Sequence, residues 1–328
     1  MRSDNTSFKI ALAKNFKQFS RFVPALFSLG LFCLSAWAIH SELSQYPPRA
    51  ILSNIRMIPG EALAAAVALT GLNFLFLTGN DTLGTRYARH PLPYRKTALV
   101  AVISYAISNS VGMAMLSGGA IRYRFYSAWG LSAGKIAQVI AFSGLSFWIG
   151  LLFLCGLVFT LAPLPLPDLL DLPFNTVRPI GLLFLAGITA YLTLTGLNRH
   201  PVKIGRWSLP NMPLKLSLGQ IAITSGDWAA AAGVIYSLLW LSGLNSGLSY
   251  FTFFGAYLLA LVSSIISNVP GGLGVFETVL LLLISPPIGA DSLLGVLLVY
   301  RVVYFFLPLM LGVMLLAIYE LRQRYRRI

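Results

Sequence analysis

Long apolar runs alternate with short polar stretches along most of the chain. Six runs approach the roughly 20 residues that a helix needs to cross about 30 Å of hydrocarbon. They lie at about 22–40, 61–79, 136–160, 179–197, 217–241 and 291–318. Two further apolar segments, about 98–121 and 250–287, are interrupted by Gly, Ser and Asn, and the second also by Pro. The pattern predicts an all-α polytopic membrane protein, a helical bundle of about six full spans plus two broken, re-entrant helical segments.

Composition agrees with this class. The 328 residues are 57% hydrophobic and 10% charged, and the formal net charge is +14. In a membrane chain, basic residues flank the cytoplasmic ends of spans, so we expect no nucleic-acid partner. Cys33 and Cys155 lie in apolar runs without metal-ligand spacing, and no nucleotide-binding or HExxH motif occurs. We therefore expect a single integral membrane domain, 1–328, with no metal, no cofactor and no enzymatic activity.

The basic residues predict how the spans are oriented, because cytoplasmic loops carry an excess of Lys and Arg. If both broken segments enter and leave the membrane on one side, 20 of the 24 Lys and Arg residues face the cytoplasm. The exceptions are Arg49, Arg56 and Arg178, which face outward, and Arg301, within a span. A full crossing by 98–121 would invert every later loop and place "NRHPVKIGRWSLPNMPLK" outside. We therefore expect this segment to be re-entrant from the cytoplasm.

The second broken segment is compatible with two topologies. It either dips into the membrane from outside or crosses twice, as 250–268 and 275–289. Both alternatives keep the C-terminus on the side of the N-terminus. Charge therefore does not separate them, and both termini are expected in the cytoplasm.

The two broken segments resemble each other. "VISYAISNSVG" (102–112) aligns with "LVSSIISNVPG" (261–271) at an offset of 159 residues, with identical Ser, Ser, Asn and Gly positions. In such a composition the match is either coincidence or an inverted repeat with halves at about 22–170 and 175–318. Gly- or Pro-interrupted segments at corresponding positions of two halves are typical of transporters built from inverted repeats.

Irregular backbone inside a membrane is tolerated only where protein buries it or water reaches it. The breaks therefore predict a polar cavity. A half-helix starting near Val275 would point free N–H groups and its positive dipole end at the break, which suits an anion. The residues expected to shape this cavity are Asn109, Asn268, Pro270, Gly271 and Gly272.

Glu277 lies one turn into that half-helix. An ionised carboxylate in mid-bilayer costs roughly 2.5–3.5 kcal/mol, so we expect it to be paired, protonated or in contact with water. It either binds a proton or a cationic group, or forms a structural pair with Arg301. Arg301 in turn either extends to the interface, pairs with Glu277, or holds a phosphate through its planar fork. Tyr304, one turn further on, either packs or contacts a ligand.

Arg122, Arg124 and Tyr126 lie in "SGGAIRYRFYSAWGLSAGK", directly after the first broken segment. They form either an interfacial belt of basic and aromatic residues or a clamp for a lipid headgroup. Asp227, in "ITSGDWAAAAG", either lines the cavity or caps a local distortion. Asp81, near the end of a predicted span, is expected to be a solvated interface charge.

Three motifs, "SNSVG…SGGAIRYRFYSAWGLSAGK", "SNVPGGLGVFE" and "YRVVYFFLP", occur in this order. Together they resemble the transmembrane region of bacterial lysyl-phosphatidylglycerol synthase/flippase proteins, over about residues 20–320. The resemblance implies a flippase-type membrane domain in the bacterial inner membrane that translocates a phospholipid. Family members with a synthase carry it in a further C-terminal domain. This chain ends at "YELRQRYRRI", so we expect no synthase activity from it.

The residues and the resemblance together predict a phospholipid translocase that moves an anionic or aminoacylated headgroup through a cavity at the broken helices. Two other functions fit the same residues. One is a proton-coupled secondary transporter of a small anion, and the other is a non-transporting membrane partner of an envelope enzyme. The expected partners are membrane phospholipids, with a second copy of the chain or an envelope enzyme as further alternatives.

Overall fold

The long apolar runs form long helices. The computed structural model describes residues 53, 56–111, 114–162, 175–197, 202–204, 207–209, 212–244, 247–267, 274–284 and 288–325. In chain order the elements are α1 (Gly60–Tyr87), α2 (Tyr94–Val111), α3 (Ala114–Ala128), α4 (Ala133–Leu161), α5 (Arg178–Leu197), β1 (Val202–Ile204), β2 (Trp207–Leu209), α6 (Leu214–Leu241), α7 (Tyr250–Ser267), α8 (Val275–Ile284), α9 (Ala290–Arg301) and α10 (Leu307–Tyr325). A π-helical segment, Val302–Phe306, joins α9 to α10 without a break.

Within the described part of the chain, five helices are long and apolar enough to cross a membrane. They are α1, α4, α5, α6 and the continuous run from α9 to α10, and they coincide with five of the six predicted spans. The first predicted span, 22–40, lies outside the described residues. The structure therefore confirms the predicted class of helical membrane bundle. It adds a short antiparallel hairpin, β1 with β2, whose three-residue strands are too short to show a hydropathy period.

Both predicted broken segments are pairs of helices that pack against each other, α2 with α3 and α7 with α8. The breaks themselves, 112–113 and 268–273, lie outside the described residues. Helix α8 has 10 residues and is therefore about 15 Å long, half the thickness of the hydrocarbon core. A helix this short does not cross by itself, which favours the re-entrant alternative for this segment.

Contacts at one end of the bundle agree with the topology that the basic residues predict. The ammonium of Lys96, in the first turn of α2, lies 4.9 Å from the ring centre of Trp129, just after α3. The pair α2–α3 therefore returns to the end at which it starts. Lys135 Nζ lies 3.4 Å from Nδ1 of His90, which brings the start of α4 to the loop after α1. Which side of a membrane this end faces stays a prediction.

The order of elements occurs twice. A long helix, a pair of shorter helices and a second long helix appear as α1 to α4 and again as α6 to α10, with α5 between them. The first long helices of the two sets, α1 and α6, pack antiparallel along most of their length. Opposite orientation of corresponding helices is what an inverted repeat requires. The halves at 22–170 and 175–318 stay a prediction, because residues 22–52 lie outside the described part.

Glycines bring α6 close to α1 at a spacing of seven residues. A Cβ on Gly219 would contact Leu83 at 3.5 Å, and one on Gly233 would contact Leu69 at 3.5 Å. Between them, a Cβ on Gly226 would lie 2.5 Å from the ring of Phe76. Small residues that let backbones approach closely are typical of helix packing in membranes, where apolar burial offers little driving force.

Candidate functional site

The buried faces of α1 and α3 are joined by an ion pair. Nε of Arg122 donates to Oδ1 of Asp81 and Nη2 donates to Oδ2, both at 2.8 Å. The Asp81 side chain has no exposed surface, and the Arg122 side chain is 5% exposed. This is the two-pronged geometry in which a planar guanidinium fits a carboxylate best.

Aromatic and small residues hold this pair in place. Tyr126, one turn after Arg122 on α3, donates its hydroxyl to Oδ1 of Asp81 at 3.2 Å. The guanidinium carbon of Arg122 lies 4.6 Å from the ring centre of Tyr105 on α2. Asp81 engages the Nε–Nη2 edge, and the remaining Nη1 points to Gly118, where an added Cβ would lie 3.0 Å away. The guanidinium thus keeps one edge that Asp81 does not use.

The expectation that Asp81 is a solvated interface charge is wrong. Helix α1 continues through Asp81 to Tyr87 because no Pro or Gly pair stops it, so the carboxylate lies within the bundle instead of at a span end. The signal was present in the sequence. Asn73, Leu77 and Asp81 recur at a spacing of four, and all three lie on the buried face of α1.

Arg124, two residues after Arg122, is in a different environment. Its guanidinium forms an ion pair with Glu320 of α10, and the two side chains are 42% and 38% exposed. Since residues two apart on a helix face different directions, the two arginines do not share a site. A role of Arg124 in headgroup binding stays a prediction.

The second ion pair joins α8 to the end of α9. Nε of Arg301 donates to Oε1 of Glu277 at 3.0 Å, and Nη2 contacts the same oxygen. Oε2 of Glu277 accepts the backbone N–H of Gly274 at 2.9 Å, just before the first turn of α8. The carboxylate therefore caps its own helix and lies at its positive dipole end, as well as pairing with Arg301. Of the two alternatives for Glu277, the structure shows the pair with Arg301, and a role in ligand binding stays a prediction.

Arg301 stands at the start of the π-helical segment. Pro308 lacks an N–H, and its ring would meet the carbonyl of Tyr304 four residues earlier in a regular helix. The backbone widens at this point, and the N–H of Leu307 bonds to the carbonyl of Val302 instead. Ser110 of α2 donates to the carbonyl of Phe305 at 3.4 Å, so the helix pair α2–α3 contacts this segment through α2. Such π segments within α-helices often occur at functional sites.

Tyr304 lies inside the bundle, 7% exposed, with its ring 5.0 Å from that of Tyr300 and 5.1 Å from that of Phe305. The contacts found for its ring are packing contacts. Its hydroxyl lies within hydrogen-bond reach of the Asn73 side chain and interacts electrostatically with Asp227. This places the π-helical segment beside the middle of α6.

Asp227 lies at the midpoint of the 28-residue helix α6, and Asn73 at the midpoint of the 28-residue helix α1. Nδ2 of Asn73 donates to Oδ1 of Asp227 at 2.6 Å and to its main-chain oxygen at 2.9 Å. Asp227 is partly exposed, whereas Asn73 is fully buried. The carboxylate thus joins the two long helices instead of capping a distortion within its own.

The contacts described above do not involve the other predicted site residues. Asn109, partly exposed, lies near the end of α2. Asn268, Pro270, Gly271 and Gly272 lie outside the described residues, so their expected role at the break stays a prediction. Within the described part, no group of three or more His, Cys, Asp or Glu side chains is placed to hold a metal ion.

Comparison with known proteins agrees with the motifs. The family described as "Lysylphosphatidylglycerol synthase TM region" matches residues 22–312. An uncharacterized protein of Synechocystis sp. (strain ATCC 27184 / PCC 6803 / Kazusa) is 49% identical over 94% of this chain and 95% of its own length. The inner membrane protein YbhN of Escherichia coli (strain K12) is 30% identical over 79% of this chain and 80% of its own length.

A larger relative matches over a third of its length. The phosphatidylglycerol lysyltransferase of Staphylococcus xylosus is 24% identical over 92% of this chain, which corresponds to 34% of that protein. The match to the family covers most of the chain, including both buried ion pairs and both helix pairs, α2–α3 and α7–α8. This chain therefore belongs to the family of the lysylphosphatidylglycerol synthase transmembrane region.

Proposed function

We propose that this protein is a flippase-like phospholipid translocase of the bacterial inner membrane. It would move a polar headgroup, anionic or aminoacylated, between leaflets while the acyl chains stay in lipid. Relatives named as an inner membrane protein and as a phosphatidylglycerol lysyltransferase support the compartment and the lipid class. The proposed activity is transport without a chemical step on the lipid.

The observation that carries the proposal is the buried Arg122 guanidinium with one edge turned away from its counter-ion. Asp81 and Tyr126 fix the position of the guanidinium, and Nη1 points to Gly118, in the second turn of α3. A guanidinium fixed in this way is a good partner for a phosphate oxygen, because it loses little further freedom on binding. Arg124, exposed at the same end, would attract the headgroup from the interface.

The ion pair between α8 and α9 would supply a partner for the rest of the headgroup. Glu277 and Arg301 neutralise each other across α8 and α9. A headgroup that carries both a phosphate and an amine can replace each partner by a ligand group of the same sign, so that no charge is left unpaired inside the membrane. The exchange would free α8, a short helix, from α9 while cargo passes.

Leaflet-to-leaflet transfer in proteoliposomes tests the proposal. Purified protein is reconstituted, and acyl-labelled phosphatidylglycerol, phosphatidylethanolamine and lysyl-phosphatidylglycerol are followed by quenching of the outer leaflet. We expect faster transfer than in empty liposomes, and a loss of at least tenfold in Arg122→Lys, which keeps the charge but loses the planar fork. Arg322→Gln, an exposed change at the end of α10, is the matched control and should transfer lipid like the wild type.

Two results would reject the proposal. The first is transfer no faster than in empty liposomes for any headgroup, with protein that is folded by size-exclusion chromatography. Anion uptake driven by a pH gradient would then indicate the secondary transporter, and activity restored to a co-reconstituted envelope enzyme would indicate the membrane partner. The second is equal loss in Arg122→Lys and Arg322→Gln, because a loss that an exposed change at the end of α10 also causes would not be due to the planar fork of Arg122.

A further inference from the structure

Asn73 and Asp227 meet in the middle of the bundle. Each lies at the centre of a helix that is about 42 Å long and antiparallel to the other. The site is therefore remote from both ends of α1 and α6. As a whole residue, Asp227 keeps part of its surface accessible.

The hydrogen bonds between the two side chains fix the orientation of the amide. Nδ2 of Asn73 has two N–H groups, and it faces two acceptors of Asp227, the main-chain oxygen at 2.9 Å and Oδ1 at 2.6 Å. Turning the amide over would set oxygen against oxygen. Oδ1 of Asn73 is buried and accepts no hydrogen bond within the described residues, although the Tyr304 hydroxyl is within reach of the Asn73 side chain.

The charges around Asp227 do not favour an ionised carboxylate. Within the described residues no Lys, Arg or His makes an ion pair with it, and both buried arginines bind carboxylates of their own. The titratable side chains that interact with it from neighbouring elements are the phenols Tyr105 of α2, Tyr257 of α7 and Tyr304 of the π-helical segment. These are neutral near pH 7.

The remaining helices packed against α6 contribute no nearby cation either. The titratable groups that they carry in the described part are Glu61, Asp81, Arg86 and Tyr87 of α1, Lys135 and Cys155 of α4, Arg178 and Tyr191 of α5, and Tyr300 and Arg301 of α9. Lys135 contacts His90 at the end of the bundle, and Tyr191 bonds to Gln220 and Ser217 near the start of α6. Asp227 thus has a single amide as its hydrogen-bond donor among the described residues.

A protonated Asp227 would resolve both observations. Its carbonyl oxygen still accepts from Nδ2 of Asn73, and its O–H supplies the donor that Oδ1 of Asn73 lacks, which closes a two-bond ring between acid and amide. Buried polar groups are almost always hydrogen-bonded, so an amide oxygen left open beside a carboxyl group points to a missing proton. We propose that Asp227 and Asn73 form a proton-binding site, occupied at rest, whose proton is released and rebound during headgroup transfer.

The coupling to transfer rests on the proposed function; the resting protonation does not. In the released state the O–H bond of Asp227 breaks, the proton passes to water, and the carboxylate is free to accept the amine of a headgroup. Tyr304 links this event to the π-helical segment beside Arg301. Rebinding of a proton returns the acid–amide ring and expels the cation.

Infrared difference spectroscopy of the protein in liposomes tests the site directly. We expect a carbonyl band of a protonated carboxylic acid near neutral pH that disappears on alkaline titration and is absent in Asp227→Asn. This variant should fold, since its amide can donate to the open oxygen of Asn73. Asn73→Leu should keep the band but shift it, because the acid loses its hydrogen-bond partner, and Glu277→Gln should leave it unchanged.

The coupling has its own measurement. Lipid transfer by the wild type should change at least threefold when a pH gradient is imposed, and transfer by Asp227→Asn should not respond. A wild-type protein without the acid band, or Asp227→Asn with the same band, would overturn the proton site whether or not lipid moves. A band that is present together with transfer that ignores the gradient would overturn the coupling. Absence of any lipid transfer would reject the proposed function while the band still decides the proton site.

Discussion

Removal of the Asp81 carboxylate should destabilise the protein by several kcal/mol. Asp81 accepts three hydrogen bonds, from Nε and Nη2 of Arg122 at 2.8 Å each and from the Tyr126 hydroxyl at 3.2 Å. In Asp81→Ala these three donors lose their acceptor and a buried guanidinium loses its counter-ion. Breaking a buried pair on one side typically costs about 3–5 kcal/mol, because the remaining charge stays desolvated.

The exposed pair between Arg124 and Glu320 provides a control within the same bundle. Its side chains are 42% and 38% exposed, so solvent screens the interaction, and Glu320→Gln should cost no more than about 1 kcal/mol. Both variants would be compared with the wild type by reversible unfolding in mixed micelles as the fraction of SDS is raised. An equal loss of unfolding free energy in the two variants would refute the reasoning, because solvent would then screen the Asp81 pair as well.

Replacing both partners separates the net contribution of the ion pair to stability from the cost of leaving one buried charge unpaired. Asp81→Leu combined with Arg122→Met fills a similar volume with apolar atoms. Such replacements of buried ion pairs are often neutral or stabilising. We expect the double variant to recover most of the stability that Asp81→Ala loses, and to remain inactive in lipid transfer.

Two further predictions follow from single contacts. Gly226→Ala should cost about 1–3 kcal/mol, because its Cβ would lie 2.5 Å from the ring of Phe76, whereas Gly187→Ala meets nothing within 4 Å and should be neutral by the same unfolding assay. Glu277→Gln should destabilise the protein by about 1–3 kcal/mol, less than Asp81→Ala, because the new amide oxygen can still accept a hydrogen bond from Arg301, which is 13% exposed. A destabilisation equal to that of Asp81→Ala would show that solvent is excluded from the Glu277 pair as fully as from the Asp81 pair.

The hydropathy pattern was sufficient for the helices. Five predicted spans coincide with helices because a run of 20 or more apolar residues has few alternatives in a chain this poor in charge. The division of two apolar segments into helix pairs was also predictable, since Asn, Pro and Gly interrupt these segments in the sequence. Helix α2 nevertheless begins at Tyr94, earlier than the predicted 98, because polar residues at an interface extend a helix without raising its hydropathy.

The sequence did not show in the same way which side chains contact each other in the fold. The sequence points to Arg122, but its carboxylate lies 41 positions earlier, beyond a span predicted to end at 79, so the pattern predicts a surface charge at Asp81. Glu277 and Arg301 are 24 positions apart and were considered as a pair, because both lie within segments where an unpaired charge is costly. Asn73, the partner of Asp227, carried no signal, since a neutral amide in an apolar run does not reveal which helix it faces.

Each of the two buried ion pairs ties the second helix of a broken pair to a long helix, which raises the question of why charge is used there. In the first set of helices, the second helix of the broken pair, α3, is tied to α1 through Arg122 and Asp81; in the second set, α8 is tied to α9 through Glu277 and Arg301. Apolar side chains of similar volume would hold these helices together at least as well, because desolvation offsets most of the attraction within a buried pair. Stability therefore does not account for the charges. An ion pair differs from apolar packing in one respect that matters here: a ligand carrying charge can replace either partner without leaving the other unpaired. Under the proposed function, a helix held in this way can be released by a charged headgroup, whereas a helix held by leucines cannot.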